Sequence, residues 1–352
     1  MQCSKCSSKF KLEKSPGTIY FITNVNELMA KTSMFLERIS LNYKNDKGLL
    51  SLSVTNVHRF FHENLDALKS NFNDLEREEI KVYSHYGECE FNFQAILDAK
   101  ALQLYINLFD DKDFFDIIEN ESLTAHFQPI VDVKSNRIYG YETLARGVNA
   151  DGTLMYPNIL FDKSKRNDFT FKLDRLCRES ALKTAATKKV TQKVFINFIP
   201  TSIYDPEFCL NSTVRWANQL EFDPSQIVFE VIETELVKDQ EHLKRILEYY
   251  RSKGFKIALD DVGEGYSSLN MLIELKPDII KIDRNIISNI DTNELKQSVY
   301  KALVNIAKEH GITVLAEGVE TLYEFEKIKE IGVDLVQGYY FAKPSSEPIR
   351  KI

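Results

Sequence analysis

The chain has 352 residues, 43% apolar and 28% charged, which excludes a disordered chain and exceeds one average domain. Its formal net charge of −7 argues against a nucleic-acid polymer as partner, because no basic stripe would neutralise a phosphate backbone. No apolar run approaches the roughly 18 to 20 residues that span a bilayer, and the start MQCSKCSSKFKLEK lacks a signal-peptide core. The five cysteines are odd in number and show no disulfide-like clustering, so reduced thiols and a cytoplasmic setting are expected.

In chain order, residues 1–118 predict a small α/β module that regulates the rest or mediates assembly. Its elements are the strand GTIYFIT, a helix over 25–39, the strand LLSLSV, a long polar helix over 57–75, the strand IKVYSHY and a helix over 91–109. The acidic segment DDKDFFDIIENE then leads into the second region. Cys3 and Cys6 form a CxxC that could supply half of a zinc site, with His85 and Cys89, or His58 and His62, at possible spacings for the other half. Neither pair reproduces a familiar ribbon, and two terminal cysteines without a structural role compete with the zinc reading.

From residue 119 to 352 short strand-like runs alternate with amphipathic stretches, the mark of parallel βα units. The predicted strands are HFQPIV at 126–131, IYGYETLA at 138–145, VFINFI at 194–199 and IVFEVI at 227–232. They continue with KIALDDV at 256–262, IIKID at 279–283, TVLAEGV at 313–319 and LVQGYYF at 335–341. Eight such units predict a TIM-like (β/α)8 barrel, and the lack of a GxGxxG after the first strand weakens a Rossmann alternative.

In such barrels reactive groups collect at the C-terminal ends of strands. Glu142, Glu230, Asp260, Asp261 and Glu317 all fall there, and acids that repel one another need cations between them. Asp260 and Asp261 are adjacent, so they can share a cluster only if the chain turns, which Gly263 and Gly265 permit. Asn197 offers a neutral carbonyl oxygen, and Lys281 lies two residues before Asp283 on one side of its strand. Oxygen-rich ligands favour Mg2+ or Mn2+, and two such ions with a bridging carboxylate suit phosphoryl displacement.

With these residues in place the chain resembles bacterial EAL-domain phosphodiesterases, which hydrolyse cyclic di-GMP to linear pGpG. The likeness rests on QPIVDV, YETLAR, the INF around Asn197, FEVIE, LDDVGEGYSSL, KID, AEGVE and QGYYFAKP. The resemblance implies that Glu142, Asn197, Glu230 and Asp260 hold a first cation, while Asp260 bridges to a second that Asp261 also binds. It implies catalytic roles for Glu317, Lys281 and Glu142, with Glu317 a base or second-site ligand. It places Gln128, Arg146, Asp283 and Gln337 near substrate or water, and gives Glu233 and Glu320 the support of the loops. It also implies a homodimer through the barrel.

Three positions depart from the family pattern. Thr143 stands where alanine is usual and is expected to face away from the cations, while Val262 and Glu264 change packing and charge beside the second site. None removes a ligand. The competing readings are a cyclic di-GMP receptor without turnover, acting through its N-terminal region, and a barrel serving only as a scaffold. Tyr339, Tyr340 and Phe341 read as barrel packing.

Overall fold

A computed structural model describes residues 10–46, 48–87, 91–232, 240–263 and 268–352. Cys3, Cys6, Cys89, Glu233, Glu264 and Gly265 lie outside the described residues. The chain separates into two compact units that divide between Asp116 and Ile117.

The first unit is built on a five-stranded antiparallel sheet in the spatial order Lys44–Asp46, Leu49–Val54, Gly17–Ile22, Lys81–His85 and Lys100–Ala101. Strand alternation sends Ile19, Phe21, Leu50, Leu52 and Val82 into a core with Phe35, Phe61 and Leu68. The predicted helix over 57–75 is instead three pieces, Val57–Glu63, Leu65–Asn71 and Asp74–Glu79. Asparagines cause the breaks: Asn73 accepts the Glu76 N–H and forms a capping box with Glu76, starting a new helix where apolar periodicity alone would continue the old one. The predicted helix over 91–109 is likewise divided into Phe93–Asp98 and Leu102–Asp110, because Lys100 and Ala101 pair with Val82 and Lys81 at the sheet edge.

The second unit is a closed eight-stranded barrel. Its strands are β1 (Leu123–Asp132), β2 (Arg137–Val148), β3 (Lys193–Phe198), β4 (Ile227–Ile232), β5 (Lys256–Val262), β6 (Ile279–Ile282), β7 (Thr313–Ala316) and β8 (Leu335–Val336). Each of β2 to β8 runs parallel to its neighbour in the closed order, and β1 closes the ring antiparallel to both β2 and β8. The alternation of strand and helix implied a wholly parallel barrel. Only four residues separate β1 from β2, too few for a crossover, so this pair must be a hairpin.

Inside the barrel one apolar layer closes the bottom: Ile130, Phe195, Val228, Ala258, Ile279, Leu315 and Leu335, one from each of seven strands. The outer faces of the same strands, among them Ile196, Val231, Leu259 and Ile280, pack against the surrounding helices in a second core. Both faces are therefore buried, and the strands read as apolar runs rather than alternating ones.

Candidate metal centre at the barrel mouth

The site follows from the interior layer by strand periodicity. Two residues beyond Phe195, Val228, Ala258, Ile279, Leu315 and Leu335, on the same side of the chain, stand Asn197, Glu230, Asp260, Lys281, Glu317 and Gln337. Two residues beyond Gly140 on β2 stands Glu142. Because β1 runs the other way, its mouth residue comes before the apolar one: Gln128 precedes Ile130 and pairs directly with Glu142.

These side chains meet. Glu142 accepts a hydrogen bond from Asn197 Nδ2 on Oε1 at 3.0 Å and from Gln337 Nε2 on Oε2 at 2.7 Å. The Lys281 ammonium lies 2.6 Å from Glu230 Oε1, 2.9 Å from Asp260 Oδ1 and 2.8 Å from Glu317 Oε1. Carboxylate oxygens of Asp260, Asp261 and Glu317 lie within 4.8 Å of one another. Asp261 shares the predicted turn with Gly263: their φ angles are 56° and 107°, and the ladder between β5 and β6 slips register between Leu259 and Val262. A left-handed aspartate inside a bulge costs on the order of 1 kcal/mol, and it lets two adjacent acids face one cluster.

Three carboxylates thus surround the buried Lys281 ammonium, with Glu142 and Asp261 beside them at the same rim. Burial pushes the Glu230 and Glu317 carboxyls well above their ordinary range, reinforced by neighbouring acids and opposed by Lys281. The same acids hold the Lys281 ammonium well above its ordinary range, against the effect of burial. Glu230 is fully buried, and its Oε2 has no hydrogen-bond partner among the described residues. An orphaned carboxylate oxygen beside an excess of negative charge is the arrangement that a hard divalent cation satisfies. Glu142, Asn197, Glu230, Asp260, Asp261 and Glu317 present the oxygen atoms that could hold one.

The remaining predicted residues lie around this centre. Arg146 is buried, four residues beyond Glu142 on β2, with its guanidinium 4.8 Å from the centre of the Tyr156 ring and donating to the Leu144 and Ala145 carbonyls. Gln128 donates to the Ala342 carbonyl at 3.3 Å. Asp283 lies just past the end of β6 instead of on it, and its carboxylate caps the helix Arg284–Ile287 by accepting the Asn285 N–H at 2.7 Å. Glu320 pairs with Arg284 at 2.8 Å. Thr143 donates to the Phe195 carbonyl at 2.6 Å, and Val262 is buried in the outer core, paired with Ile282 of β6.

Sequence reasoning passed over Asp174 and Arg178, an ion pair buried between the helix Thr170–Thr187 and the end of β3. The available signal was an acid and a base one turn apart amid residues that the helix buries. A cavity of about 410 Å³ opens between this helix, the helix Pro157–Arg166 and the barrel mouth, lined by Phe161, Cys177, Ile196 and Phe198 as well as Glu142 and Asn197.

Residues 111–344 match the EAL domain family. A standalone versatile EAL protein from Vibrio cholerae O395, solved in a c-di-GMP bound form, is 40% identical, with a TM-score of 0.59 over 65% of this chain and 94% of that one. An EAL domain protein from Listeria monocytogenes EGD-e is 30% identical, with a TM-score of 0.60 over 67% of this chain and 94% of that one. The probable cyclic di-GMP phosphodiesterase PdeB of Escherichia coli (strain K12) is 31% identical over 231 residues, 65% of this chain and 44% of PdeB. The chain thus spans less than half the length of that curated relative.

Proposed function

The chain belongs to the EAL-domain family, and from that premise we propose that it hydrolyses cyclic di-GMP to linear pGpG with the help of two divalent cations, Mg2+ or Mn2+. The observation that carries this reading is the gathering of five carboxylates and Asn197 at one rim, three of the carboxylates on the buried Lys281, with an orphaned oxygen on Glu230. Names of the relatives agree, since PdeB is a probable cyclic di-GMP phosphodiesterase and the Vibrio cholerae protein was solved with c-di-GMP bound.

Glu142, Asn197, Glu230 and Asp260 would hold one cation, and Asp260, Asp261 and Glu317 the other. Two bound cations activate water at neutral pH and offset charge on a phosphodiester undergoing in-line displacement. The protein's own residues do the positioning. Asn197 and Gln337 fix both oxygens of Glu142, so that this carboxylate has one orientation. Lys281, held by three acids, keeps its ammonium at the centre of the cluster, where it offsets negative charge on a phosphate. Glu317, whose Oε1 lies 2.8 Å from the Lys281 ammonium and whose carboxylate lies beside those of Asp260 and Asp261, would be a ligand of the second cation or the base for the attacking water. Arg146, Gln128, Asp283 and Gln337 border the space a dinucleotide would occupy, and the Arg146 fork suits phosphate oxygens.

Incubation of the full chain with cyclic di-GMP and Mn2+ or Mg2+, followed by chromatography, is expected to yield pGpG. Glu142→Ala and Glu317→Ala should each lower turnover by at least about a hundredfold, the size of loss when a group acting on the transition state is removed. Tight binding of cyclic di-GMP without product would replace the enzyme reading with that of a receptor. Neither binding nor product would leave a scaffold.

A further inference from the structure

We propose that Asp174 is a positioning residue for the cation site, holding the end of β3 so that Asn197 points at Glu142; the inference rests on the metal-centre reading given above. Asp174 and Arg178 lie one turn apart on the helix Thr170–Thr187 and are 2% and 1% exposed. Asp174 Oδ1 accepts the Ile199 N–H at 2.9 Å, and Oδ2 accepts the Ser202 hydroxyl at 2.7 Å beside the Arg178 guanidinium. Arg178 Nε in turn donates to Thr213 Oγ1 at 3.2 Å, on the helix Asn211–Gln219.

An interior ion pair is weak evidence for stability, since desolvating two charges offsets most of their attraction and apolar replacements often do as well. What this pair does by geometry is specific. Ile199 is the first residue past β3 and two beyond Asn197, and it precedes Pro200, which has no N–H. The Ile199 N–H is therefore the last backbone donor before the chain turns through Pro200–Ser202, and Asp174 takes it. Ser202, at the end of that turn, donates its hydroxyl to the same carboxylate and its backbone N–H to the Ile199 carbonyl at 3.0 Å. Both ends of the turn are thus fixed to one charged group that an apolar side chain could not replace. Asn197 Nδ2 then reaches Glu142 Oε1 at 3.0 Å, and its carbonyl oxygen is left for the cation. Asp174 also lines the cavity that Glu142, Asn197 and Asp260 border.

The test is a calorimetric Mn2+ titration of the full chain as wild type, Asp174→Asn, Ser202→Ala, Asn197→Ala and the double variant Asp174→Asn/Asn197→Ala, with folding followed by circular dichroism. Asp174→Asn places an amide N–H against the Arg178 and Ser202 donors, and it should weaken Mn2+ binding by about tenfold or more, the usual effect of losing an outer-shell partner. Ser202→Ala should weaken it in the same direction by less. In the double variant, loss of Asp174 should add little to loss of Asn197, because the first acts through the second. A merely structural role would lower the melting temperature without this coupling. Wild-type protein that takes up no Mn2+ would overturn the metal-centre reading itself. Wild type that binds while folded Asp174→Asn binds equally well, or double-variant losses that multiply, would overturn this inference alone. Should Asp174→Asn fail to fold, an unchanged Mn2+ affinity in Ser202→Ala is the result that sinks it.

Discussion

Lys281 sits among three carboxylates at 2.6 to 2.9 Å, yet Glu230 and Glu317 still bind protons more tightly than ordinary glutamates. One ammonium is too little positive charge for the cluster. The sign of the stability effect follows from this. A carboxyl whose folded pKa is raised above its ordinary 4.5 leaves the folded state holding more protons than the unfolded chain, so stability falls as pH rises from about 4.5 through the raised value. A divalent cation competes with those protons and supplies the missing charge, so it should stabilise more at higher pH. Melting curves in Mn2+ and in chelator are therefore expected to separate progressively as the pH rises above about 4.5. At a cation concentration about a hundred times the dissociation constant the difference should approach about 2.7 kcal/mol, or several degrees. In Glu230→Gln the metal-free melting temperature should depend less on pH. A separation that stays constant or shrinks with rising pH would contradict the account.

At the scale of elements, the ring of polar residues was legible because strand periodicity is rigid: once the apolar layer is identified, the residue two positions on must share its face. Glu230 in IVFEVI and Lys281 in IIKID stand out for that reason. Three features were not legible. The reversed direction of β1 depends on loop length, the turn begins on Asp261, two residues before the left-handed Gly263, and the clamp by Asp174 on Ile199 joins residues 25 positions apart. A fourth element-scale feature is the close approach of the loops after β7 and β8. Gln337 accepts the Val319 N–H on its carbonyl at 3.1 Å, and a Cβ at Gly338 would lie 2.0 Å from the Val319 carbonyl oxygen and 2.4 Å from its nitrogen. Backbone atoms cannot move aside as a flexible side chain can, so Gly338→Ala must push apart the loops that carry Gln337 and Glu317. The expected cost is about 1 to 3 kcal/mol, read as a drop of several degrees in melting temperature. Mn2+ binding should weaken as well, because Gln337 would no longer hold Glu142. Wild-type melting and Mn2+ affinity in Gly338→Ala would show that the approach is not needed.

For the whole molecule, two separate cores set what can be cut apart. The first unit buries Ile19, Phe21, Phe61 and Ile106 in its own cluster, and the barrel buries its helices against β1 to β8 in another. A fragment bearing the barrel should therefore fold and keep the proposed cation site, provided that it begins in the right place. The first strand starts at Leu123, which suggests a fragment beginning at 122. The helix Lys112–Glu119 argues for an earlier start, because Ile117 is 1% exposed and would lie 2.8 Å from any Cβ at Gly147 on β2. The Ile117 carbonyl also accepts the Ser122 N–H at 2.9 Å. Removing an isoleucine buried to that degree forfeits about 1.5 to 3 kcal/mol of burial and uncovers β2, the strand that carries Glu142. A fragment spanning 111–352 is accordingly expected to match the full chain in Mn2+ affinity, and one spanning 122–352 to melt several degrees lower. Equal melting temperatures for the two fragments would show that this helix contributes nothing to the barrel. Loss of cation binding in the longer fragment would show that residues before 111 take part in the site.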